Sequence, residues 1–206
     1  GVWYQDKRLE EGAPCANDDE LVLYLSKYLP EKVVRPLAKE ELCGSLFHDF
    51  CRFQPVEKAW RKAEGHWEIQ DVCYTDRWGS GEPERISGIF RRLLAEGGQV
   101  WGAFLDGRLK GFCAVEGRLK GSRGQYADMA ELQVSYDCRG QRLGRELFQK
   151  AAQSGRALGA EKLYISAHSA AGPMAFYKAM GCVEAEEPDP CHAVAEPCDV
   201  QMEYRL

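Results

Sequence analysis

No Cys-x-x-Cys pair occurs in this chain, no apolar run approaches the length of a membrane span, and acids outnumber bases by 32 to 27. Each absence removes a class. The nine cysteines are an odd count, and several sit inside apolar patterns, as Cys113 does in Gly111–Val115. They are expected as reduced, buried thiols of a cytoplasmic protein rather than a disulfide framework. Cys191, His192 and Cys198 offer only three neighbouring ligands at a spacing that matches no common site, so no metal is expected. A formal net charge of -5 argues against nucleic acid as a partner, because the basic runs Arg91-Arg92 and Arg118–Lys120 are short and interrupted. The lack of a long apolar stretch argues against a membrane. Gly1 in place of Met is read as a processed or artificial start, outside the fold argument.

What remains is periodicity, with neither internal repeats nor a low-complexity linker. Residues 1–16 read as an extended arm, and Asn17 opens a helix carrying Leu21, Val22, Leu25 and Tyr28. These first 30 residues are expected to pack on a single domain spanning 31–206. Lys32–Pro36 reads as a strand, and Lys39–Phe50 as an amphipathic helix on Leu42, Leu46, Phe47 and Phe50. Residues 55–64 are expected to be helical and 66–74 extended. Glu82–Glu96 repeats Ile86, Ile89, Phe90, Leu93 and Leu94 at helical intervals and stops at Gly97-Gly98. Gln99–Leu105 and Leu109–Glu116 form a hairpin around Asp106-Gly107.

The next stretch is the most informative. In Tyr126–Ser135, Ala130, Leu132 and Val134 alternate with Met129, Glu131, Gln133 and Ser135, which is strand grammar. Beyond it, Leu143, Leu147, Ala151, Gly155 and Leu158 recur at helical spacing. Between the two lies Arg139-Gly140-Gln141-Arg142-Leu143-Gly144, a turn that presents unpaired N–H groups at the positive end of a helix dipole. No Gly-Lys-Ser/Thr closes the turn, and the G-x-G-x-x-G spacing is absent, so neither nucleotide hydrolysis nor dinucleotide binding is indicated. A second strand, Lys162–Ala167, then leads through His168-Ser169 into a short helix with Met174, Phe176, Tyr177 and Met180, stopped by Gly181.

This order of strand, R-x-x-x-x-G turn, helix, strand and short helix ending Phe176-Tyr177-Lys178-Ala179-Met180-Gly181-Cys182 resembles the GNAT superfamily of N-acetyltransferases. The resemblance is strong over residues 99–185 and weaker over most of the rest. It implies an α/β (α+β) fold, with a mixed, mostly antiparallel central sheet flanked by helices and splayed at its two central strands. It also implies acetyl-CoA as co-substrate, held at Leu132, Gln133 and Val134, at the turn Arg139, Gly140, Gln141, Arg142, Leu143, Gly144 and Arg145, and at Ser169, Ala170 and Phe176. Two positions depart from the family pattern. Arg142 stands where a glycine is usual, and Ala170 where an asparagine often opens the last helix.

Acetyl transfer requires a deprotonated amine, a donor to the carbonyl oxygen and a proton for the departing thiolate. The resemblance gives that last role to Tyr177. For the base, Glu131 is the first choice on its strand face; Asp128, His168 and an ordered water stay open. Residues 60–82, with Trp67, Glu68, Asp76 and Trp78, read equally as an acceptor groove or as core under a long loop. No cysteine stands where an acyl-enzyme is expected. The expectation is direct transfer to a small-molecule amine, with a homodimer admitted. The alternative is a GNAT-fold module that binds acyl-CoA without turnover.

Overall fold

The computed structural model describes residues 30–206 together with β1 (Trp3–Tyr4) and β2 (Lys7–Arg8), which pair antiparallel. The helix expected after Asn17 lies outside the described residues.

Two four-stranded sheets carry the molecule. The first runs in the order β3 (Lys32–Pro36), β6 (Gln99–Leu105), β7 (Arg108–Val115), β9 (Glu131–Val134), antiparallel throughout. The β6–β7 turn takes positive φ at Asp106 (49°) and Gly107 (73°), the left-handed pair that a right-twisted hairpin demands. The second sheet runs β11 (Val183–Glu184), β12 (Val200–Arg205), β10 (Lys162–Ala167), β8 (Tyr126–Asp128), with β8 and β10 parallel. A separate hairpin joins β4 (Phe53–Ala63) to β5 (His66–Arg77).

Helix α1 (Glu82–Ala95) covers the first sheet, burying Ile86, Phe90 and Leu93 with Phe47, Phe50 and Phe112. On the other side, α2 (Leu143–Ala157) buries Leu143, Leu147, Phe148, Ala151 and Ala152. It packs there with residues of β10 and β12 and with α3 (Ala171–Ala179). A short helix, α4 (Pro190–Ala195), interrupts the C-terminal run and is capped by the Asp189 side chain, which accepts the Cys191 N–H at 2.8 Å.

Three local expectations fail. Residues 39–50 form two single-turn 3-10 segments, Lys39–Glu41 and Gly44–Phe47, instead of one helix. Cys43 between them is extended (φ -143°, ψ 162°), and the Gly44 N–H is drawn off to the Glu84 carboxylate at 2.9 Å. The apolar spacing was real, since Leu42, Phe47 and Phe50 are buried, but glycine inside the run favours a break. Residues 55–63 belong to strand β4, and Glu64 to the turn that follows. Their helix-forming Glu, Lys and Ala are overridden by a ladder to β5 and the Glu64-Gly65 turn, both at positive φ.

The third failure matters most. The strand read as continuous over 126–135 breaks at Met129-Ala130. Ala127, Met129, Leu132 and Val134 pack on the α2 side, whereas Ala130 packs on the α1 side. Glu131 pairs with Ala114, and Gln133 with Phe112, both from the α1-side core. Ala130 and Glu131 therefore turn the same way, as one extra residue in a strand requires. The Met129 N–H still reaches the Tyr164 carbonyl at 2.9 Å, but β9 beyond it bonds only to β7. The two sheets part there.

Candidate active site

The open seam ends at the loop that feeds α2. Ser135 is buried; its Oγ accepts the Cys51 N–H at 2.9 Å and donates to Asp137. A single 3-10 turn over Tyr136–Cys138 follows, then Gly140 at φ 82° and Arg142 at φ 65°, ψ 5°. Leu143 is buried and anchors the helix start, while Gly140, Gln141, Arg142 and Arg145 are exposed. No side chain caps α2, and the backbone N–H groups from Gly140 to Arg145 find no acceptor among the described residues. That array, with the helix dipole behind it, is suited to an anion. Arg142 holds the left-handed conformation that glycine adopts freely, at a cost of about 1 kcal/mol.

Gly144 faces the seam. A Cβ there would lie 3.4 Å from the Phe176 ring and 3.7 Å from Val134, ordinary contacts with no room for a larger group. Phe176 packs edge-on against Tyr177, with ring centroids 5.2 Å apart. Tyr177 is 8% exposed, and its hydroxyl has no hydrogen-bond partner among the described residues. Burial pushes the phenol well above its ordinary value, with Cys182, Glu131 and Asp199 adding to the effect, so it keeps its proton at neutral pH. Glu131 is half-buried and receives the Gln133 amide at 2.9 Å. Desolvation raises its carboxyl above the usual range, against the opposing pull of Gln133 and Arg52. The Gln133 side-chain oxygen Oε1 is buried and has no partner among the described residues.

Other expected residues are placed differently. The Arg139 guanidinium folds back over the Tyr136 ring at 5.5 Å and approaches Gln54 Oε1 at 3.5 Å. Ser169 and Ala170 are buried beneath β4: Ser169 Oγ accepts from Arg61 at 2.7 Å, its carbonyl accepts the Trp60 N–H at 2.7 Å, and Ala170 bridges to Ala59. They are therefore covered by the hairpin rather than open beside the loop. Trp78 is core, stacked on Phe50 at 5.1 Å, and Asp76 pairs with Arg52. Trp67 is half-buried under Lys62, and Glu68 is exposed. Asp128 is fully buried and ion-paired to Lys120 and His192. His168 accepts the Ala170 N–H at Nδ1 (3.1 Å), and desolvation lowers its pKa.

Within residues 189–199, sequence reasoning weighed only Cys191, His192 and Cys198, as an unfavourable metal cluster, and passed over Asp189 and Asp199. Asp199 bonds Ser166 Oγ at 3.3 Å, and burial beside Glu196 pushes its carboxyl up to about 7. The Asp189-Pro190 pair was a legible helix start, a cap followed by proline at the first helical position.

Residues 63–182, more than half of the chain, match the Acetyltransferase (GNAT) family. The chain belongs to this family. It is an acyltransferase of the GNAT fold, and solved structures agree on the architecture. Nourseothricin acetyltransferase superposes with a TM-score of 0.63 at 16% identity, covering 84% of this chain and 98% of that one. A putative streptothricin acetyltransferase from Bacillus anthracis, in complex with acetyl coenzyme A, gives 0.62 at 15% identity, covering 86% and 98%. The PaiA N-acetyltransferase from Thermoplasma acidophilum, in complex with coenzyme A, gives 0.53 at 16%, covering 85% and 99%. No curated protein matches the chain. Among the described residues the eight cysteines are free, no group of three or more His, Cys, Asp or Glu is placed to hold a metal, and no helix is long and apolar enough to cross a membrane.

Proposed function

We propose that this GNAT protein moves an acetyl group from acetyl-CoA directly to the amine of a small molecule. The observation that carries the reading is the run of unpartnered N–H groups from Gly140 to Arg145, lying at the mouth of a seam whose far wall holds the unpartnered Tyr177 hydroxyl. The pyrophosphate rests on those amides, with Arg142 adding a charge at the loop. The pantetheine arm follows the open edge of β9 along Leu132, Gln133 and Val134, past Gly144 and Phe176. The acetyl coenzyme A and coenzyme A complexes of the two relatives support this co-substrate.

An ammonium of pKa about 10.4 cannot attack until it loses a proton. Glu131, its carboxyl raised by desolvation, takes the proton shed by nitrogen as the carbon–nitrogen bond forms, through an intervening water. A backbone N–H of β9 near Val134 steadies the carbonyl oxygen. As the carbon–sulfur bond breaks, the pair goes to sulfur, and Tyr177 supplies the proton that makes the thiol. Asp128 is unsuited to the base role because Lys120 and His192 hold it ionised, although burial alone would raise it.

The test is thiol release from acetyl-CoA in the presence of a panel of primary amines, with calorimetric titration of CoA alongside. Release that depends on an amine supports the transferase. CoA binding without release by any amine would instead identify a binding module.

A further inference from the structure

The polar side of the second sheet holds a side-chain group that the reading above does not use. Asp128 is completely buried, its Oδ2 engages both Lys120 and the Nε2 of His192 (2.6 Å), and its Oδ1 has no partner among the described residues. The His192 ring lies against Tyr164, with centroids 5.6 Å apart and planes 26° from parallel, and its side chain is 25% exposed. A carboxylate on Nε2 fixes the tautomer that carries its hydrogen there, leaving Nδ1 as the proton acceptor. Among the described residues Nδ1 has no hydrogen-bond partner. Lys120, itself raised to about 12 by Asp128 and Glu116 against the cost of burial, keeps the carboxylate charged. The result is a buried anion behind an imidazole with one open nitrogen.

The extra residue at Met129-Ala130 puts Asp128 and Glu131 on the same face of the broken strand, away from α2. His192 rides on α4, which closes with the Glu196 N–H on the His192 carbonyl at 2.9 Å. Tyr164, against which the ring lies, stands on β10 opposite Asp128, and its carbonyl takes the Met129 N–H at 2.9 Å at the last rung before the sheets part. Farther along β10, the Ser166 hydroxyl donates to Asp199 at 3.3 Å, so the segment that carries the imidazole lies along the strand that borders the seam.

We propose that His192, anchored by Asp128, is the proton acceptor that neutralises the incoming ammonium of the acceptor. The inference rests on the transferase reading and completes its proton balance. An ammonium carries one proton too many for attack and a second that must leave as the amide forms. The first passes to His192 Nδ1 and on to solvent. The second leaves nitrogen through Glu131 and restores Tyr177, whose own proton has gone to sulfur. One amide, one thiol and one released proton result. The charged and titratable groups facing the ring are Asp128, Lys120, Asp189 and Tyr164, with Asp199 further along the segment. Hydrogen bonding to Asp128 outweighs desolvation and raises the imidazole above its ordinary value.

The experiment measures kcat/KM against pH for the fastest amine in a panel of lysine, spermidine, tyramine and kanamycin. The parent is expected to lose activity on the acid side, where the imidazole takes its proton. His192→Gln should reduce kcat/KM by about 10²-fold, the low end for an acid–base group. It should also flatten the acid limb, leave CoA affinity unchanged, and recover rate on addition of imidazole. Asp128→Asn should move the limb to lower pH, because the anion that favours the imidazolium is gone. A His192→Gln protein with the parental rate and acid limb overturns the proposal. So does a rate loss that imidazole does not restore while Asp128→Asn leaves the limb in place, which would mark a structural role. A parent that binds CoA but acetylates none of the four amines overturns the transferase reading, and this proposal with it.

Discussion

The broken strand has two faces, and they are built from different materials. Toward α2 it presents Ala127, Met129, Leu132 and Val134, and the groups that await a ligand along that seam are backbone N–H donors at the start of α2. Toward the opposite side it presents Asp128, Glu131 and Gln133, and everything chemical there is side chain. A backbone array tolerates almost any sequence that keeps its dihedral angles. A side-chain array is lost with one substitution. Solved structures at 15–16% identity share the fold with this chain, which places no demand on the side chains of the second face.

The sharpest way to break that contrast is Tyr177→Phe, because Tyr177 is the side chain proposed to transfer a proton from the cofactor side. We expect kcat to fall by about 10²–10⁴-fold with acetyl-CoA affinity intact, since the hydroxyl acts only as charge builds on sulfur. The hydroxyl has no protein partner to lose among the described residues, so the melting temperature should stay close to the parent's. Parental turnover would reduce Tyr177 to packing. Glu131→Gln tests the other face, with an expected loss of about 10²-fold in kcat and unaltered CoA binding in calorimetry.

Gly144→Leu tests whether the seam itself is the binding path. Its side chain would have to displace Phe176 or fill the gap against Val134. CoA affinity should drop by at least about tenfold, whereas Gly144→Ala, meeting only ordinary contacts, should change little. Equal affinity for the leucine variant would move the ligand elsewhere.

Arg142→Gly separates backbone from side chain within one residue. Relief of the left-handed conformation should stabilise the fold by up to about 1 kcal/mol in denaturant titration, less the extra freedom glycine gives the unfolded chain. The lost charge should weaken CoA only a few-fold, and less at high salt. Affinity identical at every ionic strength would show that the guanidinium faces away.

The last contrast is electrostatic. Asp199 titrates near 3.8 unfolded and about 7 folded, so the native state holds the extra proton between those values. Its contribution to stability therefore declines as pH rises through that window. Asp199→Asn should raise the melting temperature more at pH 8 than at pH 5. An equal gain at both would contradict the raised carboxyl.

How much could be read beforehand follows the same division. Helices α1 and α2, the β6–β7 turn at Asp106-Gly107 and the Arg139–Gly144 loop were legible, because periodicity and turn chemistry act over a few residues. Residues 39–50 and 55–64 were misread, because Gly44 and the β4–β5 ladder are decided by contacts far away in the chain, such as Glu84 on the Gly44 N–H. The break at Met129-Ala130 carries no local mark; alternation of apolar residues survives an inserted residue on paper but not in space. His192 was visible only as a poor metal ligand, since its partner Asp128 lies 64 positions away.

The parting of the sheets has a further consequence for motion. Past Met129 no backbone hydrogen bond among the described residues ties β9 to the second half of β10, and side-chain packing beneath α2 joins the two sheets there. A ligand whose amides lie along that gap acts as the missing rung. Amide exchange at residues 132–134 and 165–167 should therefore slow together on its arrival and quicken together on its release, so that the occupancy of one groove is written into the breathing of both halves.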